Sequence, residues 1–135
     1  MAQFRPADHS KGDANTIGGY MAVHDRPAAF EGSDGFSYSV ELMIDASGHG
    51  HESFGAYILF VKWARIGAQT PEGHLETEYL VHGSSEAEAR TRIGALPLSE
   101  VKRLLDLLIE RSYQGRGERP RPWYDAMRDE SEHDS

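Results

Sequence analysis

Between residues 36 and 82 the chain carries three consecutive strand patterns, and the middle one, residues 54–66, is apolar on both faces where its neighbours are apolar on one. Phe54, Ala56, Ile58 and Phe60 alternate with Tyr57, Leu59, Val61 and Trp63, so successive side chains point to opposite sides and both sides need cover. A strand of this composition belongs in the middle of a sheet, and the chain supplies obvious helical cover for only one face.

The flanking patterns are half-polar. Phe36, Tyr38, Val40, Leu42 and Ile44 alternate with Ser37, Ser39, Glu41, Met43 and Asp45, after a turn at residues 31–35 in which Asp34-Gly35 favours a tight reversal. Residues 46–53 form a glycine-rich connection, and residues 69–73, with Pro71 and Gly73, turn the chain again. In the third strand, residues 74–82, Leu75, Thr77, Tyr79 and Val81 form the more apolar side. Residues opposed in antiparallel strands share a face, so parity suggests pairing Val81 with Phe60 and Tyr79 with Lys62. That register sets Arg65 opposite Glu76, Trp63 opposite Glu78 and Leu59 opposite His82. Ahead of the meander, Tyr20 to Val23 reads as a brief edge strand between Gly18-Gly19 and Pro27.

Helices follow the strands. Ser85 and Glu88 have capping-box spacing, with Gly94 closing a short helix. Pro97 opens a longer one, in which Leu98, Val101, Leu104, Leu105, Leu108 and Ile109 recur at helical spacing to form a lid for the Phe36 side of the sheet. The expected fold is α+β: an antiparallel meander of three to four strands, a short helix, and a longer C-terminal amphipathic helix on one face. Residues 1–19 read as a flexible N-terminal segment and residues 20–113 as the domain. Residues 114–135 read as a charged, mostly flexible tail with a docking turn at 122–127, where Trp123 and Met127 share a side.

At 135 residues the chain suits one domain. Its net charge of −8, with basic residues scattered, opposes a nucleic-acid backbone. There is no cysteine for disulfides, thiolate chemistry or thiolate metal sites, and no apolar run long enough to span a membrane, so a cytoplasmic location is expected.

Motifs for catalysis are sparse. No Gly-x-Ser-x-Gly elbow or Gly-Lys-Ser/Thr loop occurs. Glu41, Glu76 and Glu78 project from the second sheet face, where alternating acids ordinarily serve solubility and cross-strand pairing. His49 and His51, two apart in the glycine-rich connection, could chelate a divalent metal, which would make the chain a metal-binding protein or a small metal-dependent enzyme, but a site needs three or four converging ligands and such a pair is ordinarily solvated. No cofactor is expected otherwise.

The remaining candidate is the second face itself, with Tyr57, Leu59, Val61 and Trp63. It reads as a non-catalytic protein-interaction or homodimerisation surface. Three covers are available to it: the segment from Tyr20 to Phe30, the tail island with Trp123 and Met127, or another protein, including a second copy.

Overall fold

The computed structural model describes residues 7–46, 50–65 and 68–114. After a single 3-10 turn at His9–Lys11 come α1 (Ile17–His24), β1 (Ala29–Glu31), β2 (Ser37–Ala46), β3 (Phe54–Trp63), β4 (Gly73–Glu76), β5 (Val81–Gly83), α2 (Glu86–Gly94) and α3 (Leu98–Gln114). The fold is α+β, with an antiparallel sheet in the order β1-β2-β3-β4 and β5 pairing β3 beside β4.

β2 and β3 pair along their whole lengths, from Ser37↔Trp63 to Ala46↔Phe54. Even-numbered residues of both strands therefore share one face. That face is the core: Tyr38, Val40, Ala56, Ile58 and Phe60 are buried with Ile17, Ala89, Ile93, Val101, Leu105 and Ile109 from the three helices. The long helix covers this side as its leucine spacing predicts, and α2 shares the cover.

The third strand is not continuous. β4 pairs with the C-terminal half of β3 (Leu59↔Glu76, Phe60↔Leu75) and β5 with its N-terminal end (Gly55↔His82, Ala56↔Val81), so four residues, 77–80, oppose two, Tyr57 and Ile58. The register inferred from parity is thus displaced: Phe60 faces Leu75 rather than Val81, and Lys62 faces Gly73 rather than Tyr79. Glu76 lies opposite Leu59, not Arg65, and His82 opposite Gly55, not Leu59. The chain reverses earlier than the Thr70-Pro71 signal suggests, with Ala68 N–H donating to Arg65 O and Glu72 N–H to Lys62 O. Every displacement is by an even number of residues, so Leu75 and Val81 still pack against the core.

Thr77 stabilises the interruption. Its N–H donates to Ile58 O at 3.0 Å, while its hydroxyl accepts from Ile58 N–H at 3.0 Å and donates to Glu78 O at 2.7 Å. A side-chain oxygen stands where a strand carbonyl would, so the ladder continues through the bulge.

The segment read as an edge strand at Tyr20 to Val23 is helical. Thr16 caps α1 by accepting from Gly19 N–H at 3.1 Å, and Asp25 ends it in the left-handed conformation at φ 53°. Gly18 lies in the first turn because α2 passes there: a Cβ on it would sit 2.8 Å from Gly94 Cα. The domain begins before Tyr20, since Ile17 is fully buried and its N–H donates to Leu96 O. The fourth strand is instead β1, paired to β2 through Phe30↔Tyr38. At α2, Ser85 Oγ accepts from Glu88 N–H as the capping box requires, but Glu88 reaches back to Ser84 N–H and Oγ rather than to Ser85. Arg92, in the last turn of α2, then ties the sheet to the helix, bonding Glu52, Glu88 and His82 O.

Thr77→Val keeps the shape and strand propensity but removes the acceptor for Ile58 N–H, and is expected to cost about 1–3 kcal/mol in urea unfolding. Thr77→Ser, which retains the hydroxyl, should recover most of that loss.

Candidate functional site

The odd-numbered residues of β2 and β3 form the opposite face. Register places Met43 beside Tyr57, Glu41 beside Leu59, Ser39 beside Val61 and Ser37 beside Trp63. β4 adds Glu76 beside Leu59 and His74 beside Val61, while β1 adds Ala29 and Glu31 beyond Ser39 and Ser37. The result is an apolar stripe of Tyr57, Leu59, Val61 and Trp63, all half-buried, running down the central strand, flanked by acids at Leu59 and by Met43, Ser39, Ser37 and His74 along the rest of its length. Leu59 lies between Glu41 on one side and Glu76 on the other.

The floor of the stripe opens into a concavity of about 500 Å³ with Tyr57, Leu59 and Val61 below and Glu72, His74 and Glu76 along its rim. Among the described residues no cation pairs with Glu41, Glu72 or Glu76. At the other end, Trp63 is held by its indole N–H, which donates to Ser39 Oγ at 3.0 Å.

The bulge brings a further aromatic to this face. Tyr79, which alternation assigns to the core side, turns over Gly55, where a Cβ would lie 2.7 Å from its ring. It packs edge-on to Tyr57 at 5.9 Å and to His82 at 5.7 Å, and its hydroxyl donates to Asp45 at 3.2 Å. At 43 % exposure it is the one large hydrophobic side chain exposed among the described residues. Gly55 was the available signal, because glycine inside a strand marks a bulge or the close approach of another group. The phenols of Tyr57 and Tyr79 are both pushed above their ordinary range, first by desolvation and then by the acids, Asp45 and Glu76 for Tyr57 and Asp45 for Tyr79.

The covers proposed from sequence are reduced by this geometry. The Tyr20 to Phe30 segment packs with the core: Tyr20, Met21 and Phe30 lie against it, and only Ala29 of β1 extends the second face from that segment. No described element crosses the stripe. Trp123, Met127 and the turn at 122–127 lie outside the described residues, as does His49. His51 is exposed, and among the described residues no three His, Asp or Glu side chains are gathered to hold a metal. Arg65 does not reach Glu76; it lines a separate hollow with Phe30, Glu31 and Ser37. Glu41 and Glu76 stand exposed with β3 between them, in no enclosed cavity that would exclude water.

A polar cluster not foreseen in the sequence lies on the core side of the same edge. Asp34, 1 % exposed, accepts from Phe36 N–H at 3.2 Å and from the Tyr38 hydroxyl at 2.8 Å, with Lys62 Nζ 3.9 Å away and 4.1 Å from the Phe36 ring centroid. These donors satisfy the carboxylate, so the cluster locks the β1–β2 turn and leaves no buried group awaiting a ligand. The adjoining hollow of about 160 Å³ also touches Glu72, Gly73, His74, Ser112 and Tyr113.

Compared with protein-family models, with curated proteins and with solved structures, the chain finds no match. No helix among the described residues is long and apolar enough to cross a membrane.

Burial, followed by the Asp34 charge and hydrogen bond, raises the Tyr38 hydroxyl far above the ordinary tyrosine range. The folded protein then keeps a proton that the unfolded chain releases above about pH 10, so stability should fall as pH climbs beyond that value. Tyr38→Phe is expected to flatten this alkaline limb and, by stripping a donor from buried Asp34, to cost about 1–3 kcal/mol at neutral pH. Tyrosinate absorbance should show one of the six tyrosines titrating only with unfolding.

Proposed function

We propose that the chain is a non-catalytic binding module whose second sheet face takes a protein segment bearing an apolar or aromatic anchor among basic groups. The observation that carries this reading is the stripe of Tyr57, Leu59, Val61 and Trp63 lying uncovered by any described element and bordered by Glu41 and Glu76. Aromatic side chains make strong anchors because they bury much area at small rotamer cost, and an acidic border selects partners of opposite sign. Tyr79, fixed over Gly55, enlarges the aromatic ground.

A second copy of the chain is the other occupant considered. Face-to-face stacking would set acidic borders against each other in a chain already at −8, which disfavours homodimerisation through this surface. A basic partner meets no such repulsion.

The test uses a synthetic peptide with three arginines and one tryptophan, and a control in which glutamates replace the arginines. The basic peptide is expected to perturb the amide resonances of β3 and β4, with binding that weakens as salt rises. Leu59→Thr together with Val61→Thr keeps strand propensity and should weaken binding by about tenfold or more. Equal binding of both peptides, or perturbation confined to the helices, would overturn the reading. Sedimentation that detects a dimer abolished by the same double substitution would assign the face to a second copy instead.

A further inference from the structure

We propose that Tyr79, Tyr57 and His82 form an open aromatic box that takes a methylated ammonium group, the side chain of an N-methylated lysine on the partner segment. The inference rests on the binding-module reading and names the cation that this face selects. The bulge supplies the floor of the box. A Cβ placed on Gly55 would lie 2.7, 2.9 and 3.0 Å from Cδ1, Cγ and Cε1 of Tyr79, nearly equal distances that put it over the face of the ring. An approach through the ring's edge would leave Cγ and Cε1 well beyond Cδ1. One face of Tyr79 therefore rests on the backbone at Gly55 and the other is turned outward, which accounts for its 43 % exposure.

Two rings stand steeply beside this floor. Tyr57, two residues along β3 from Gly55 and on the same face, has its centroid 5.9 Å away at an interplanar angle of 67°. His82, which register sets opposite Gly55, lies 5.7 Å away at 61°. Asp45 faces Gly55 from the other side and accepts from the Tyr79 hydroxyl at 3.2 Å. Desolvation and then the fields of Asp45 and Glu76 raise the Tyr57 phenol, so both carboxylates lie about the same ring. Among the described residues no cation pairs with Asp45 or Glu76.

The faces of aromatic rings are negative, and nearby carboxylates add to that field, so the box favours a cation. Its shape chooses among cations. A guanidinium is a plate, and stacked on Tyr79 it would leave the steep walls unused. A bare ammonium is compact and strongly hydrated, and it gives up that water at high cost. Methylation spreads the charge over apolar carbons, and the rounded group that results meets floor and walls together. The rim carboxylates balance its charge through space, without the N–H donor that a trimethylated group lacks. The box also suits the site as a whole. Gly55 lies four residues before Leu59, about 13 Å along the strand. Side chains at i and i+4 of an extended partner have that same spacing, so one segment fills the box with its methylated lysine and the concavity at Leu59 with its apolar anchor.

The probe is a peptide with tryptophan four residues from N-trimethyllysine. It is compared with versions carrying lysine, arginine, or the neutral isostere in which tert-butyl replaces trimethylammonium. The trimethyllysine peptide is expected to bind about fivefold or more tighter than each of the others. Its N-methyl resonance should move upfield under the ring currents of Tyr79 and Tyr57. Tyr79→Leu, which keeps apolar cover over Gly55 without a π face, should abolish the preference while leaving the amide spectrum of the helices unchanged. Tyr57→Leu is the second variant with the same expectation, and Asp45→Asn should reduce the preference. Equal binding of all four peptides, tighter binding of any other version, or a preference that survives both leucine variants would overturn the box. If the arginine-tryptophan peptide still perturbs β3 and β4 in such a case, the box fails while the binding-module reading stands; if neither kind of peptide perturbs β3, both fail.

Discussion

β3 is hydrogen-bonded along both edges, and the placement of the other elements follows from it. Its ten residues pair with all of β2 on one side and with β4 and β5 in succession on the other. Such a strand has no edge left for water, so its backbone can sit at the centre of the fold while its side chains divide between two faces. Ala56, Ile58 and Phe60 are fully buried under the helices. Tyr57, Leu59, Val61 and Trp63 are held at equal depth on the other side, only half-buried. The apolar second face therefore follows from the strand's central position and sequence, and it cannot be shed without giving up the strand's own β propensity.

Parity and phase separated in the sequence reading. Alternation assigned the faces of β2 and β3 correctly because one residue of slip would expose Phe60 or Ile58, a large apolar loss. Sliding by an even number carries no such penalty, so nothing in the alternation distinguished Val81 from Leu75 as the partner of Phe60. The bulge was hidden for the same reason: it inserts two residues, preserves parity, and is held by the Thr77 hydroxyl, which reads in sequence as an ordinary strand threonine. Helix α1 was missed on different grounds. Ile-Gly-Gly-Tyr-Met-Ala-Val-His is short and apolar all round, so it shows no stripe, and Gly18 serves the close approach to Gly94, and Gly19 that to the Asp13 carbonyl, rather than a chain reversal.

The candidate site was legible where it depended on β3 and illegible where it depended on the bulge. Tyr57, Leu59, Val61 and Trp63 come from one strand, whose geometry fixes them on one side irrespective of register. Tyr79 reaches them only because residues 77–80 loop out, turning it from the core side to cover Gly55. The acidic borders also changed partners. With Glu76 moved from Arg65 to Leu59, a carboxylate expected to be neutralised across the sheet instead stands beside the apolar stripe. A register shift that leaves the core intact has thus altered the electrostatics of the surface.

That change decides what kind of occupant suits the stripe. Had Arg65 paired with Glu76, the border would be mixed in sign, and a second copy could have met it with its own mixed border at little electrostatic cost. The observed arrangement puts Glu41 and Glu76 on both sides of Leu59 with no described cation between them. Like charge then works against self-stacking. An apolar floor with an acidic rim favours a ligand whose cations bracket an aromatic side chain.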